Sequence, residues 1–185
     1  MAYFFFDFKD TGKQDARAFL LSVLVQLSNQ SVSFCNILLE FFSAHQQSSQ
    51  QPSDRQLTQC LEKMLKIPIE EPIYFILDAL DECPDISGSP SSREKVLGLV
   101  ETLIGFNLPN LRLCVTSRPE IDIRNVLEPL TLTKNQISLH DEEGQKKDIA
   151  NYVRSVVYSD RKMKKWRDSD KELVIETLSG RANGM

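Results

Sequence analysis

The stretch IYFILDALDEC (residues 73–83) decides the fold of this 185-residue chain. Its apolar run, Ile73 to Leu77, predicts a buried strand that stops at Asp78, and two further carboxylates, Asp81 and Glu82, follow closely. In an open parallel sheet, ligands bind beyond the carboxyl ends of the strands, where a carboxylate without a cation is costly to bury. Because Mg²⁺ prefers carboxylates, phosphates and water, the pattern favours a magnesium site at Asp78.

The roles of Asp81 and Glu82 have two interpretations. A turn after the strand would bring them over the same edge, where one could orient or deprotonate a water molecule for attack on a phosphate. Alternatively, they only cap the loop or the next helix.

The end of a second predicted strand supports a ligand site at this edge of the sheet. LRLCVT (residues 111–116) predicts a strand, and Arg118 follows it. A guanidinium at that position suits the terminal phosphate of a nucleotide. The alternative is an ion pair between Arg118 and Asp78 or Asp81 with no ligand, and the two interpretations are compatible.

Strands and helices alternate along the chain, which predicts an α/β fold with a parallel, helix-covered sheet. Two capping boxes, Ser53 with Gln56 and Ser91 with Glu94, predict helix starts. The predicted strands are 3–8, 73–77, 111–116 and 136–139, and the predicted helices are 14–28, 33–45, 53–65, 91–106, 122–127, 143–158 and 170–179. The pattern is purely helical after residue 140, so we expect a core over 1–140 and the start of a helical subdomain over 141–185.

Composition narrows the class of protein. Apolar residues make up 41% and charged residues 26%, as in soluble globular domains, and the net charge of −4 argues against nucleic acid as a partner. The basic run 161–167 could touch phosphates or anionic lipid, but flanking aspartates favour a solvated helix junction. No apolar run is long enough to span a membrane, and the N-terminus is typical of a strand rather than a signal peptide. Four scattered cysteines indicate reduced thiols in an intracellular protein.

These residues resemble a known family. IYFILDALDEC resembles the extended Walker B motif of NACHT domains, closest to the fungal, nephrocystin-3-like branch of the STAND P-loop NTPases. VTSRPE (115–120) resembles the sensor 1 segment of that family, and residues 3–13 resemble the strand and turn after its first helix. LSGRANGM (178–185) resembles the start of its "ANGMF" helix.

The resemblance implies a P-loop NTPase fold, with helices on both faces of a parallel sheet, and a role for each candidate residue. Asp78 would hold Mg²⁺, Asp81 and Glu82 would position the hydrolytic water as catalytic residues, and Arg118 would sense the γ-phosphate of ATP or GTP. Family members are cytoplasmic switches that oligomerise and carry effector and repeat domains, so protein partners are expected and membranes are not.

One motif of that family is missing. Its Walker A loop, G-x-x-x-x-G-K-[ST], cradles the phosphates, and the nearest match here ends in Gly12-Lys13-Gln14. Asp7 stands at the first glycine position and Gln14 at the Ser/Thr position, so Lys13 is expected in a solvated turn. The chain therefore resembles a partial NACHT domain without its first strand, P-loop and first helix, and we expect no measurable ATP hydrolysis and no required cofactor in this chain.

The missing segment has a structural consequence. In the family, the Walker A strand pairs with the sensor strand (here 111–116) and with the last strand (here 136–139). Its loss exposes a ladder edge that invites a partner strand. We expect strand 136–139 to pair with 111–116 or to be displaced.

Two other functions remain open. The chain could be an interaction scaffold that links an effector domain to C-terminal repeats without binding nucleotide. The three carboxylates could instead form a metal site for phosphodiester cleavage, which would need a basic substrate groove that the sequence does not clearly offer.

Overall fold

The computed structural model describes residues 1–45, 51–69, 71–85, 90–138 and 143–181. The chain divides into two compact units, 1–131 and 132–185. Among its described residues, the first unit contains three strands and five α-helices: β1 Ala2–Phe5, α1 Ala16–Ser28, α2 Val32–His45, α3 Asp54–Leu65, β2 Ile73–Asp78, α4 Ser92–Gly105, β3 Leu111–Val115 and α5 Ile121–Leu130. Short 3-10 turns, Thr11–Lys13 and Leu80–Glu82, follow β1 and β2.

The three strands form one parallel sheet in the order β1-β2-β3. Phe5 of β1 is paired with Asp78 of β2, and Leu77 of β2 with Val115 of β3. The predicted α/β class, a parallel sheet with flanking helices, is confirmed. Because all three strands run in one direction, the segments that follow them meet at one edge of the sheet.

The two faces of the sheet are covered unequally. Phe4, Phe75 and Leu77 lie on one face and belong to the hydrophobic core that helices α1, α3 and α4 complete. On the other face, Tyr3 and Tyr74 are about half exposed, at 47% and 49%. Side chains alternate across a strand, so this one-sided burial sets which residues face solvent.

Local sequence fixes where the helices begin. Both predicted capping boxes are present: Ser53 caps the start of α3 and Ser91 caps the start of α4, each bonded reciprocally with the residue three positions later. Asp15 caps α1 by accepting a hydrogen bond from the N–H of Ala18 at 2.8 Å. The helices thus begin where short-range hydrogen bonding satisfies their free N–H groups.

The second unit is helical in its described residues. It consists of α6 (Glu143–Ser159) and α7 (Asp168–Arg181), with 3-10 turns at Thr133–Asn135 and Met163–Lys165. Val157 and Ile175 are buried between α6 and α7, and Tyr158 donates a hydrogen bond to Glu172 at 3.1 Å. This unit contains the two helices predicted after residue 141.

The predicted strand 136–139 is wrong over its described part. Residues 136–138 form no strand, and Ile137 is 78% exposed. The N–H of Gln136 donates instead to the carbonyl of Thr133 at 3.2 Å, within a 3-10 turn, and residues 136–138 are exposed. A strand needs a neighbouring strand to bond its backbone and bury its side chains. Leu139 and the whole ANGM segment (182–185) lie outside the described residues. Within the described ranges, no helix is both long and apolar enough to cross a membrane.

Candidate functional site

The candidate residues lie where β2 and β3 end side by side. Asp78 is the last residue of β2, and Thr116 directly follows β3. The N–H of Thr116 donates to the carbonyl of Leu77 at 2.9 Å, which extends the ladder by one bond beyond the last paired residues. The two strand ends are therefore held in register at the edge where parallel sheets bind ligands.

Asp78 is bonded through one of its two carboxylate oxygens. Thr116 donates its hydroxyl to Oδ1 of Asp78 at 2.5 Å, and its Oγ1 accepts from the N–H of Ala79 at 3.0 Å. Within the described ranges, Oδ2 of Asp78 has no hydrogen-bond partner. The carboxylate oxygen Oδ2 of Asp78 is therefore available to bind a cation.

The chain turns sharply after Asp78. Ala79 has φ 56° and ψ 47°, a left-handed conformation that a residue with a Cβ rarely adopts. Such a residue costs on the order of 1 kcal/mol and persists where its surroundings hold it. Here the bond from Ala79 to Thr116 and the following 3-10 turn, Leu80–Glu82, hold it.

Asp81 is paired with Arg118. Its Oδ1 accepts from the backbone N–H of Arg118 at 3.0 Å, and its Oδ2 lies 3.3 Å from Nε of the same residue. The Asp81 side chain is 9% exposed, whereas the Arg118 side chain is 77% exposed. The ion pair thus has one largely buried side chain, Asp81, and one exposed side chain, Arg118, that is able to reach outward.

Glu82 and Cys83 attach this loop to the segment after β1. Oε2 of Glu82 accepts from the N–H of Phe8 at 3.3 Å, and Sγ of Cys83 donates to the carbonyl of Gln14 at 3.1 Å. Burial raises the pKa of the Cys83 thiol from 9.0 to about 12, so this thiol stays protonated and serves as a donor. Glu82 therefore points toward the β1 loop, while Asp81 points toward the β3 segment.

Arg93 holds the main chain of the same loop. It lies in the first turn of α4, is 8% exposed, and donates to the carbonyls of Asp81 at 2.6 Å and Cys83 at 2.9 Å. Its remaining nitrogen contacts Glu120 at 2.8 Å and Asp122 at 3.2 Å. Burial alone would lower the pKa of Arg93, but these two carboxylates outweigh burial and raise the pKa.

Comparison with known protein families gave a match. A family model described as "Nephrocystin 3, N-terminal" matches residues 1–118. The chain belongs to the nephrocystin 3 N-terminal family. No curated protein and no solved structure matched the chain. The nephrocystin 3 N-terminal match ends at Arg118, so it includes all four candidate residues.

The structure of this nephrocystin 3 N-terminal domain brings the four predicted residues to one edge but does not gather their carboxylates. Asp78 and Asp81 contact the segment after β3, and Glu82 contacts the segment after β1. Across the described part of the chain, no group of three or more His, Cys, Asp or Glu side chains is placed to hold a metal ion. Lys13 lies in a turn and pairs with Asp10 at 3.3 Å. The metal, catalytic and phosphate-sensing roles remain predictions.

Sequence reasoning missed Arg93 and Thr116. A weak signal existed for Arg93, because a cation in the first turn of a helix opposes the helix dipole and therefore needs partners elsewhere. For Thr116, the hydroxyl one residue beyond a strand end was compatible with many local roles. Its bonds to Asp78 and Ala79 depend on the pairing of two strands, which no short-range pattern reveals.

Proposed function

We propose that this chain is a partial nucleotide-binding module of a STAND-type signalling regulator. In the complete protein it would act as a switch that depends on ATP (or GTP) and Mg²⁺, and as this chain it would be catalytically impaired. The observation that carries the proposal is the meeting of Asp78, Asp81 and Arg118 at the adjacent ends of β2 and β3. The partners of such a module would be effector and repeat domains, in the cytoplasm.

The residues at this edge fit Mg²⁺ as a shared ligand rather than as a protein-only site. Mg²⁺ commonly binds through one or two carboxylates and completes its shell with phosphate and water. Asp78 would hold it through Oδ2, while Thr116 fixes the carboxylate through Oδ1. When bound, the ion would offset the negative charge of the phosphates.

Arg118 is suited to contact a phosphate. Its side chain is 77% exposed, so the guanidinium can turn outward toward a ligand, whereas the Asp81 side chain is only 9% exposed. Moving the guanidinium to a phosphate would take the cation away from a largely desolvated carboxylate, a cost that the new contacts with the phosphate must offset. Asp81 would keep the hydrogen bond from the backbone N–H of Arg118 after the guanidinium moved.

This chain lacks groups that would support hydrolysis of a nucleotide. The sequence has no Walker A loop, whose N–H groups and lysine cradle phosphates. Asp81 and Glu82 are each already bonded to another segment, so each would have to exchange a contact to position a water. We therefore expect nucleotide binding to be weak and turnover to be unmeasurable.

Titration with a fluorescent ATP analogue, with and without Mg²⁺, tests this proposal. We expect weak, saturable, Mg²⁺-dependent binding that Asp78→Asn and Arg118→Ala each weaken. Glu101→Gln is the matched control, because this exposed carboxylate lies on α4. Wild-type protein that does not saturate would refute nucleotide binding, and ATP turnover that disappears in Asp78→Ala would refute the catalytic impairment.

The second candidate function is an interaction scaffold that links an effector domain to C-terminal repeats and binds no nucleotide. The exposed aromatic side chains Tyr3, Phe5 and Tyr74 on one face of the sheet favour it, because such patches commonly mark protein contacts. Absence of saturable nucleotide binding in the same titration supports the scaffold.

A further inference from the structure

The two edges of the sheet are protected differently. On β1, the side chain of Gln26 accepts from the N–H of Tyr3 at 3.0 Å and donates to its carbonyl at 2.7 Å. Gln30 donates to the carbonyl of Met1 at 2.7 Å. These glutamines occupy backbone groups that another strand would need, and they leave only Phe5 with outward groups unbonded on the described β1 edge.

The bonds of β3 to β2 determine which β3 residues face outward. The N–H of Ile73 donates to the carbonyl of Asn110 at 2.8 Å, and the N–H of Thr116 donates to the carbonyl of Leu77 at 2.9 Å. In a parallel ladder, residues that bond to one neighbour alternate with residues that bond to the other side. The backbone N–H and C=O groups of residues 112, 114 and 116 therefore point toward β2, and those of residues 111, 113 and 115 point toward the free edge.

Two of these outward residues have unused backbone groups. The N–H of Leu111 donates to the carbonyl of Leu108 at 3.2 Å, and its carbonyl accepts from Arg112 at 3.0 Å. In the described part of the chain, the outward N–H and C=O of Leu113 and Val115 have no partner. The β3 edge thus offers two donors and two acceptors in a row.

We propose that this edge of β3 binds the β3 edge of a second copy of the chain, antiparallel, with Cys114 on the two-fold axis. In this register Leu113 of each copy forms both backbone hydrogen bonds with Val115 of the other. All four unused groups are satisfied, and the local bonds of Leu111 are kept. The proposal does not depend on nucleotide binding.

The side chains also fit this register. On the half-buried face, Leu113 lies opposite Val115 of the second copy. On the exposed face, the two Cys114 side chains meet, and Arg112 lies opposite Thr116 of the second copy. This register places no like charges opposite each other, and like charges would destabilise cross-strand pairing.

The neighbouring antiparallel registers are worse. A two-fold axis at Leu113 would require the N–H and C=O of Leu111, which are already bonded. An axis at Val115 would place Arg112 opposite Arg118 of the second copy, where like charges repel. Self-complementarity in a single register is what identifies a second copy, rather than an unrelated strand, as the occupant.

Charge exchange at position 114 tests the register. Cys114 is exposed, so Cys114→Lys and Cys114→Glu should fold normally. We expect wild-type protein to dimerise in analytical ultracentrifugation and each charged variant to dimerise at least about threefold more weakly. An equal mixture of the two variants should recover the dimer affinity, because opposite charges then meet at position 114. Cys114→Ser should dimerise like wild type, and so should Tyr74→Lys, which places a charge on the same face but away from the edge.

Oxidation gives an independent readout. Opposed residues in the non-hydrogen-bonded pair have Cα atoms about 4.5 Å apart, within the range of a disulfide. Diamide would take two electrons and two protons from the two Cys114 thiols and leave an intermolecular disulfide, in wild type and Cys35→Ser but not in Cys114→Ser. Wild-type protein that stays monomeric at high concentration would overturn the proposal. So would a mixture of the Lys and Glu variants that dimerises no more tightly than either variant alone, or a dimer whose disulfide forms through Cys35.

Discussion

Replacement of Arg93 by methionine tests how the loop after β2 is held. Methionine keeps much of the apolar stem of arginine but removes every donor. Arg93 is 8% exposed and binds the carbonyls of Asp81 and Cys83 directly. The substitution would leave both carbonyls without their donor beneath the first turn of α4.

The size of the effect follows from which partners are buried. The bond to the carbonyl of Cys83 is buried and the bond to the carbonyl of Asp81 is partly buried. A buried carbonyl that loses its donor costs about 1–3 kcal/mol, and a partly buried one costs less. The carboxylates of Glu120 and Asp122 are 45% and 41% exposed, so water can replace the guanidinium there and their loss adds little. We expect the free energy of unfolding to fall by about 3 kcal/mol in Arg93→Met, and by less in Arg93→Lys, which keeps the charge but not the planar fork.

Denaturation with urea, followed by far-UV circular dichroism, measures this change. Fluorescence would not serve, because the single tryptophan, Trp166, lies in the other unit. Arg124→Met is the matched control: Arg124 is 57% exposed and pairs with Glu128 one helical turn away, so we expect a loss below about 0.5 kcal/mol. A loss below about 1 kcal/mol in Arg93→Met would contradict the argument that the two carbonyls depend on this side chain.

Three further predictions concern thiols and a helix cap. In native protein dilute enough to be monomeric, a maleimide should label the exposed Cys114 rapidly and should not label the buried Cys60 and Cys83 until the protein unfolds; fast native labelling of Cys83 would be inconsistent with its burial. Burial raises the pKa of the Cys83 thiol from 9.0 to about 12 and that of the Cys60 thiol to about 11, so the native state binds more protons than the unfolded state at alkaline pH. The free energy of unfolding should therefore be unaffected below pH 9 and should fall as the pH rises toward 12. The fall should be shallower in the double variant Cys60→Ala/Cys83→Ala. Ser91→Ala should lower the free energy of unfolding by about 1–2 kcal/mol in urea denaturation, because Ser91 caps α4 through the N–H of Glu94, and an unchanged midpoint would refute the capping role.

Short-range patterns predicted much of this fold. The apolar run before Asp78 identified the central strand, and the spacing of Ser53 and Ser91 from their capping partners identified two helix starts, because these signals depend on neighbours in sequence. The strand predicted at 136–139 fails over 136–138, because a strand depends on a neighbour that sequence periodicity does not supply. Arg93 was missed for the same reason, since its partners come from two distant segments.

The contacts around the loop after β2 fall into two layers that would respond differently to a ligand. The main chain is held from beneath by Arg93, whose bonds to Asp81 and Cys83 are at least partly buried and costly to break. The side-chain contact of Glu82 with the N–H of Phe8 is exposed, and the contact of Asp81 with Arg118 has one exposed partner, Arg118, so a ligand could take over these side-chain contacts. A ligand at this edge would therefore exchange side-chain contacts while the loop backbone kept its position. Such a site would be largely formed before binding, and the response to a ligand would begin at Arg118, the most exposed of these side chains.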